Sequence, residues 1–498
     1  MPLLTLMIFV PLAGGLVLFL VPGPRTWRWL AVGTSGAVLG LGVALAAQFD
    51  WRSGAFQFEE RAPWIPGLGA SYHLAVDGLS LPLVLLAALL TFLVLLYSWN
   101  QEPYPRAFFA LFLVMETGLI GVFSTLDLLL FYVFFEVSLV PMYFIIGVWG
   151  HERRIEAAIK FFLYTRVGSL AMLLSILALY LRMEPRTFDL PAIVAAQPYV
   201  GGGLVASLVL LGFFIGFAIK LPVVPFHSWL PDAHTEAPTA GSVLLAGVLL
   251  KLGGYGFLRL ALPTVPDAFS AWSVPIAGLA VVSAIYGAAV AMAQPDLKRL
   301  VAFSSINHMG YVMLGVAVAA AAWANPADRA AAASGATYQL VAHGLVTGGL
   351  FFLVGMLADR TGTREIARLS GLWAVLPLYG SILAFTMFAS FGLPALAHFA
   401  AEVQIVLGTL GVYRWAAVGM LLGVLVTTAM FLWTLQRVLL GALPVAWTKL
   451  PGLTGRELAT LLPLVVLIIL LGVVPGPLVG IIEGALRSGL LAGLVKGG

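Results

Sequence analysis

The chain has 498 residues, of which 61% are hydrophobic and only 10% are charged, and its mean hydropathy is +1.03. A soluble domain of this length would carry far more charge, so the composition predicts an all-α polytopic membrane protein. Cysteine is absent, which excludes thiolate-ligated iron–sulfur clusters, haem attached through thiols, and disulfides. The net charge of +4 is spread over loops without a run of basic residues, so no binding of nucleic acid is expected.

Apolar runs of about 20 residues, the length that crosses a bilayer, predict one membrane domain (1–498) with about 14 transmembrane helices. We number these predicted helices as spans 1 to 14. They cover 2–21, 28–48, 79–98, 107–125, 127–149, 159–181, 204–224, 240–262, 273–293, 300–323, 336–358, 372–413, 415–436 and 457–482. The segment 50–78 contains Pro63 and Pro66 and is expected to form an ordered cap or hairpin.

Two spans are interrupted by proline. Leu221-Pro222 interrupts span 7, and Gly392-Leu393-Pro394 interrupts span 12. Because proline lacks a backbone donor and clashes with the preceding turn, both helices are expected to break inside the membrane. Breaks five spans apart are typical of inverted repeats that meet at a path near the bilayer midplane. The predicted units are spans 1–3 (1–106), a first repeat of spans 4–8 (107–262), a second repeat of spans 9–13 (273–436) and span 14 (457–482).

The distribution of loop charge predicts the orientation of the chain. Lysine and arginine are more frequent in the loops that follow odd-numbered spans than in the other loops. Basic loops stay in the cytoplasm. Both termini are therefore predicted on the outer, periplasmic side of the membrane.

Four charged side chains lie inside predicted spans, namely Glu136, Lys220, Lys251 and Glu402. A charge at the centre of a membrane helix costs about 2.5–3.5 kcal/mol on insertion scales, so such residues are expected to face a wet interior, to pair, and to carry protons or ions. Glu136 is expected to be the charge partner of Lys220 and, by moving, to switch the lysine between holding and releasing a proton. The simpler alternatives are a static ion pair for these two, snorkelling for Lys251 and a helix cap for Glu402.

Two histidines lie inside later spans, His308 in span 10 and His343 in span 11. Because small changes of environment move the pKa of imidazole across physiological pH, buried histidines transfer protons well. We expect these two to form a relay between Lys251 and Glu402. Satisfied core histidines and a pair of haem ligands are the alternatives.

Other polar residues have less defined roles. His227, Asp232 and His234 follow the break in span 7, where structural hydrogen bonding is favoured over a metal site. Glu116 in span 4 belongs either to the path or to a contact with a neighbouring subunit. Arg166 in span 6 lies near the cytoplasmic end, where snorkelling explains it, and it is assigned no function.

Several stretches resemble the antiporter-like membrane subunits of respiratory complex I, the NADH:quinone oxidoreductase, which are related to the large subunits of multisubunit Na⁺/H⁺ antiporters. The stretches are 134–143, 220–234, 237–242, 249–256 and 296–310, and the second reads Lys220-Leu-Pro-Val-Val-Pro-Phe-His227-Ser-Trp-Leu-Pro-Asp232-Ala-His234. Glutamate at position 402 resembles the M-type members, the counterparts of mitochondrial subunit 4. The L- and N-type members usually carry lysine there. The segment 395–401, which includes His398, departs from the family, which usually has glycines around this break.

The resemblance implies a proton-translocating subunit, with the charged residues and histidines named above as its proton-transfer groups. It would couple quinone reduction elsewhere in the complex to proton pumping and have no redox centre of its own. NADH, FMN, iron–sulfur clusters and quinone would belong to other subunits. The implied partners are other membrane-arm subunits, especially the L- and N-type ones, and the lipid of a bacterial inner membrane.

Three alternative functions use the same fold or the same composition. A cation/proton antiporter subunit is the first, and Glu402 argues against it because the resemblance associates lysine with antiporters at this position. A subunit of a membrane-bound hydrogenase or ferredoxin-linked complex is the second. An inert membrane anchor is the third, and the charges inside the spans argue against it.

Overall fold

The structure is a computed structural model that describes residues 2–495, so Met1 and residues 496–498 of the predicted membrane domain lie outside it. The described helices run in chain order as α1 (Leu3–Val17), α2 (Pro24–Gln48), α3 (Leu81–Tyr97), α4 (Pro105–Ser124), α5 (Leu128–Trp149), α6 (Arg154–Arg182), α7 (Leu190–Ala196), α8 (Leu204–Lys220), α9 (Trp229–Glu236), α10 (Thr239–Thr264), α11 (Pro266–Met292), α12 (Leu297–Ala320), α13 (Pro326–Thr361), α14 (Pro377–Ser390), α15 (Ala397–Val412), α16 (Arg414–Leu439), α17 (Gly455–Val473), α18 (Gly476–Ser488) and α19 (Ala492–Val495).

These helices account for every predicted span. Within residues 2–495, 11 helices are long and apolar enough to cross a membrane, and α1, α8, α14 and α15 are shorter apolar helices. Helix α1 corresponds to span 1, α8 to span 7, and the pair α14 and α15 to span 12. The predicted fold class, an all-helical membrane protein with breaks in spans 7 and 12, is confirmed. The division into inverted repeats stays a prediction.

Spans 11 and 14 depart most from their predicted bounds. Helix α13 begins at Pro326, ten residues before the predicted start of span 11, because Asn325 caps an alanine-rich turn by accepting from the Ala327 N–H at 2.9 Å. The prediction from hydropathy missed this turn because its polar residues lie outside the apolar run. Span 14 is two helices, since α17 ends at Val473 and α18 starts after Pro475.

Both predicted breaks leave carbonyl groups that a ring nitrogen then satisfies. At the end of α8, the Trp229 indole donates to the Ile219 carbonyl at 3.0 Å. At the end of α14, His398 Nδ1 donates to the Ser390 carbonyl at 2.9 Å. Because an unpaired carbonyl inside a bilayer is costly, these bonds let the backbone turn at membrane depth. The half-helices can therefore end where the candidate functional side chains lie.

The segment 50–78 contains the predicted hairpin, a two-stranded antiparallel sheet of β1 (Gln57–Ile65) and β2 (Ala70–Val76). The Ser71 N–H donates at 2.8 Å to Asp127, whose carboxylate also caps α5. Just beyond β2, Asp77 forms a fully buried ion pair with Arg259 of α10. The hairpin is thus fixed to the ends of two helices that carry candidate functional residues.

The apolar parts of α10, α12 and α13 are entirely buried, whereas fewer than half of the residues in those of α2, α6 and α17 are buried. Helices α12 and α13 pack against each other, and both contact α15. Side chains on the inner helices are shielded from lipid by the outer ones. Lys251, His308 and His343 lie on these three inner helices, and Glu402 lies on α15.

Candidate functional site

Lys251 and His343 are in direct contact at the centre of the chain. The Lys251 ammonium nitrogen lies 2.6 Å from His343 Nδ1 and 2.5 Å from the Ala246 carbonyl, and both side chains are fully buried. A π-helical turn precedes Lys251, and in it the Leu250 N–H bonds Leu245 instead of Ala246, its partner in a regular α-helix. Lys251 bonds the carbonyl that this turn makes available. Snorkelling is excluded for Lys251 because its amine ends at an imidazole inside the protein.

His343 leads to Glu402 through His308. The ring centroids of His343 and His308 lie 5.5 Å apart, and His308 Nδ1 lies 3.9 Å from Glu402 Oε1. On its other side, His308 Nε2 lies 3.3 Å from the Ser390 hydroxyl at the end of α14. The structure therefore places both histidines between Lys251 and Glu402, in the order Lys251, His343, His308 and Glu402. We call these four residues the buried axis.

His398 adjoins the buried axis and has no assigned role in the sequence analysis. Its ring centroid lies 4.7 Å from that of His308 and 6.1 Å from that of His343, and its side chain is fully buried. One sequence signal was available, because His398 precedes Glu402 by four residues, which places both on one helix face. The segment 395–401, which departs from the family pattern, therefore contributes a histidine that lies beside the buried axis.

Lys220 lies at the end of α8, apart from the buried axis. Its amine is buried without a hydrogen-bond partner in residues 2–495, and it lies 5.1 Å from the centroid of the Phe135 ring and 5.8 Å from that of Phe161. Helix α10 approaches this end closely, because a Cβ atom on Gly253 would lie 2.6 Å from the Leu221 nitrogen. Since Gly253 is two residues from Lys251, this backbone contact links the regions of the two lysines.

The predicted ion pair between Glu136 and Lys220 is wrong. The Glu136 carboxylate instead forms an ion pair with the Arg166 guanidinium of α6, and no Lys220–Glu136 ion pair occurs among the described residues. This pair is partly exposed, with 17% of the Glu136 side chain and 41% of the Arg166 side chain accessible. Arg166, for which snorkelling was the expected explanation, therefore also has a charge partner that the sequence did not predict. The guanidinium of Arg166 can donate several hydrogen bonds to the Glu136 carboxylate, whereas the Lys220 amine lies among aromatic rings.

The residues that follow the break in span 7 do not converge on a metal site. Asp232 forms ion pairs with Lys160 at 2.6 Å and with Arg299 at 3.3 Å. His234 stacks on Phe351 with a centroid distance of 4.6 Å, and neither of its ring nitrogens has a hydrogen-bond partner in the described part of the chain. The expected structural bonding is thus carried by Asp232 and not by this histidine.

Glu116 lies away from the buried axis, between α2 and α4. Its carboxylate accepts from the Ser35 hydroxyl at 3.0 Å, and its side chain is fully buried. Because Glu116 is covered within this chain, the alternative of a direct contact with a neighbouring subunit is wrong for this structure.

Within residues 2–495, one group of side chains has donor atoms close enough to converge on a metal ion. His308, His398 and Glu402 each offer one ligand atom, and these atoms lie within 4.8 Å of one another. Two imidazole nitrogens and one carboxylate oxygen form a donor set that suits zinc-type divalent ions. The alternative of a haem pair formed by His308 and His343 is not favoured, since His343 Nδ1 is bonded to Lys251.

Comparisons with known proteins show the family to which the chain belongs. Residues 125–430 match the family model described as NADH:quinone oxidoreductase/Mrp antiporter, TM. NADH-quinone oxidoreductase subunit M of Rhodobacter capsulatus is 41% identical over 490 residues, covering 95% of this chain and 93% of the relative. The subunit M of Escherichia coli K12 is 40% identical over 502 residues, covering 96% and 95%. A chain in the solved structure of respiratory complex I from Thermus thermophilus with bound NADH is 34% identical, with a TM-score of 0.87 and coverage of 99% of this chain and 100% of that one.

The chain therefore belongs to the NADH:quinone oxidoreductase/Mrp antiporter family of membrane subunits. Both relatives are M subunits of NADH-quinone oxidoreductase and align over nearly the whole chain, which confirms the M-type resemblance recognised from Glu402 and the signature stretches.

Gly392 lies at the break in span 12, next to the Glu402 carboxylate. Its φ angle is +76°, and a Cβ atom would lie 2.4 Å from Glu402 Oε2. We expect Gly392→Ala to destabilise the chain by about 1–3 kcal/mol through the left-handed backbone and to displace the carboxylate. Gly362→Ala is the matched control, because Gly362 has φ +65° with open space around its Cβ position. Thermal melting and proton pumping of the purified complex should show similar destabilisation for both variants and a pumping loss for Gly392→Ala alone. Equal pumping in the two would contradict a dependence on the position of Glu402.

Proposed function

We propose that the chain is a proton-translocating membrane subunit of a bacterial NADH:quinone oxidoreductase, coupling quinone reduction elsewhere in the complex to proton pumping. The observation that carries the proposal is the buried axis, in which an amine, two imidazoles and a carboxylate follow one another within the protein. Each of these groups binds and releases protons, and each is shielded from lipid. Intramembrane ionisable residues with this placement mark proton relays in pumps and transporters.

The proposed route has two parts. Protons load Lys220 from the cytoplasm on the span 7 side and pass to Lys251 through the close contact of α8 and α10. They continue through His343 and His308 to Glu402, from which they leave to the outside. Between Lys251 and His343 the 2.6 Å contact supports direct transfer, whereas the 3.9 Å separation of His308 and Glu402 calls for a bridging water or a small rearrangement.

The chain is further proposed to have a defined place in the complex and a defined orientation in the membrane. The relatives and the sequence pattern support a place in the membrane arm of the complex, beside L- and N-type subunits, in a bacterial inner membrane. The excess of basic residues in the loops after odd-numbered spans supports both termini on the periplasmic side. NADH, FMN, iron–sulfur clusters and quinone are assigned to other subunits, and the lack of cysteine supports this for the clusters.

Glu136 is proposed to control Lys220 by moving between the Arg166 guanidinium and the Lys220 amine. Variants of both Glu136 and Arg166 test this. Glu136→Gln, Arg166→Gln and the double variant form a cycle. If the charge of Glu136 acts on Lys220, Glu136→Gln should lower pumping about tenfold or more, and the double variant should stay equally low. Pumping is measured in membrane vesicles with verified assembly. Recovery of normal pumping in the double variant would mean that the pair is only structural.

Lys251 is proposed to release its proton to His343 in each cycle. Lys251→Ala removes the amine, and Lys251→Arg keeps a positive charge that is not released because guanidinium stays protonated. Both variants should reduce pumping about tenfold or more in the assembled complex. An arginine variant that pumps like the wild type would make Lys251 a fixed charge.

Glu402 is proposed as the exit group, and three variants separate this role from a helix cap. Glu402→Gln keeps shape and hydrogen bonding without a releasable proton, Glu402→Asp keeps the acid, and Glu402→Lys introduces the base that sister subunits carry. An exit role predicts that the glutamine variant loses most pumping, while the aspartate variant retains a substantial part. A capping role predicts that glutamine is tolerated and that lysine impairs assembly, because a cation opposes the positive end of a helix. Assembly level and pumping of all three decide between the roles.

A further inference from the structure

We propose that His308, His398 and Glu402 form a binding site for a zinc-type divalent metal ion, and that an ion bound there blocks the buried axis. The three donor atoms lie within 4.8 Å of one another, and all three residues are buried. The binding half of the proposal stands on this geometry alone. The blocking half rests on the proposed function.

The spacing along α15 favours chelation. His398 and Glu402 are four residues apart, so one helical turn presents both to the same point. Metal-binding helices use this spacing to supply two ligands from one face. His308 of α12 faces the pair from the other side, with Nδ1 3.9 Å from Glu402 Oε1. Three protein ligands leave a fourth position of a tetrahedral ion for water.

The hydrogen bonds around the two imidazoles suit them as ligands. His398 Nδ1 lies 2.9 Å from the Ser390 carbonyl, which only accepts, so the ring proton is on Nδ1 and Nε2 carries a lone pair. His308 Nε2 faces the Ser390 hydroxyl at 3.3 Å, which leaves Nδ1 for the site. Both His308 Nδ1 and His398 Nε2 lack a hydrogen-bond partner among residues 2–495. Metal-bound histidines are held in this way through the opposite ring nitrogen.

The donor set selects the kind of ion. Two imidazole nitrogens and one carboxylate suit Zn²⁺, Co²⁺ and related ions, whereas Mg²⁺ and Ca²⁺ prefer oxygen ligands. Bonds of about 2.0–2.2 Å to zinc require the donor atoms to move together by roughly an ångström. The non-helical residues between Ser390 and Ala397 allow such a movement. Of the two donors His308 and Glu402, His308 is 1% accessible and Glu402 is 8% accessible, so the carboxylate is the one nearer the surface of the chain.

An ion at this position would occupy the lone pairs of His308 and Glu402 through which the proposed route runs. The route would stop between His343 and the exit group, and Lys251 would remain in contact with His343. Binding therefore predicts inhibition of pumping by zinc without loss of the assembled complex.

The test uses the purified intact complex, freed of metal with EDTA and then incubated with ZnCl₂ or left without it. Cryo-electron microscopy of both samples should show density between the three side chains only after zinc is added. His398→Asn is the informative variant, since its amide can still donate to the Ser390 carbonyl while the Nε2 ligand is lost. His73→Asn is the matched control, because His73 also lies between two carboxylates, 2.9 Å from Glu59 and 3.0 Å from Asp189, but outside the buried axis.

We expect the density to disappear in the His398 variant and to persist in the His73 variant. The zinc concentration that halves proton pumping should rise about tenfold or more in the His398 variant, measured relative to that variant's own rate without zinc. Absence of density in the wild type, or unchanged density in the His398 variant, would overturn the site. Zinc density accompanied by undiminished pumping would keep the site and overturn both the block and a proton route through His308 and Glu402.

Discussion

The contact between Lys251 and His343 is the interaction on which the rest of the arrangement depends. An amine at the centre of a membrane protein must be shielded from hydrocarbon and given a polar partner. Here the shielding comes from the inner helices α10, α12 and α13, and the partners are an imidazole at 2.6 Å and a backbone carbonyl at 2.5 Å. The π turn in α10 makes that carbonyl available. The same turn therefore shapes the helix and positions the amine.

At both broken helices, a ring N–H donates to a carbonyl that the break leaves without a helical partner. A helix that ends inside the membrane leaves carbonyl groups that water does not reach, and a ring N–H from the following half-helix satisfies one of them in each case. In span 7 the ring belongs to Trp229, a residue without a releasable proton at ordinary pH. In span 12 it belongs to His398, whose second nitrogen faces the buried axis. The side chain that satisfies the carbonyl in span 12 is therefore an imidazole beside the buried axis, whereas the one that satisfies the carbonyl in span 7 is an indole, which does not release a proton.

Much of this could be predicted from the sequence because the strongest signals are local. Apolar runs predicted the spans, proline predicted both breaks, and the charged residues and histidines inside the spans predicted the members of the axis. Tertiary partners were not predictable in this way, because the choice of Arg166 over Lys220 by Glu136 depends on how α5, α6 and α8 are rotated against each other. His398 was not predicted because the family pattern, which usually has glycines around this break, assigns no role to a histidine there. The early start of α13 was missed because hydropathy detects membrane-spanning runs and not capped polar turns.

The two halves of the proposed route differ in how firmly their groups are connected. In the second half, the Lys251 amine lies 2.6 Å from His343, and the ring centroids of His343 and His308 lie 5.5 Å apart. In the first half, the Lys220 amine is surrounded by aromatic rings, and the nearby carboxylate of Glu136 is held by a partly exposed arginine. An ion pair at the surface of the chain is open to a neighbouring subunit, whereas a buried imidazole row is not. In the proposed route, Glu136 and Arg166 are therefore the groups most open to control from the rest of the complex, and the close contact of α8 with α10 at Gly253 would connect them to the axis.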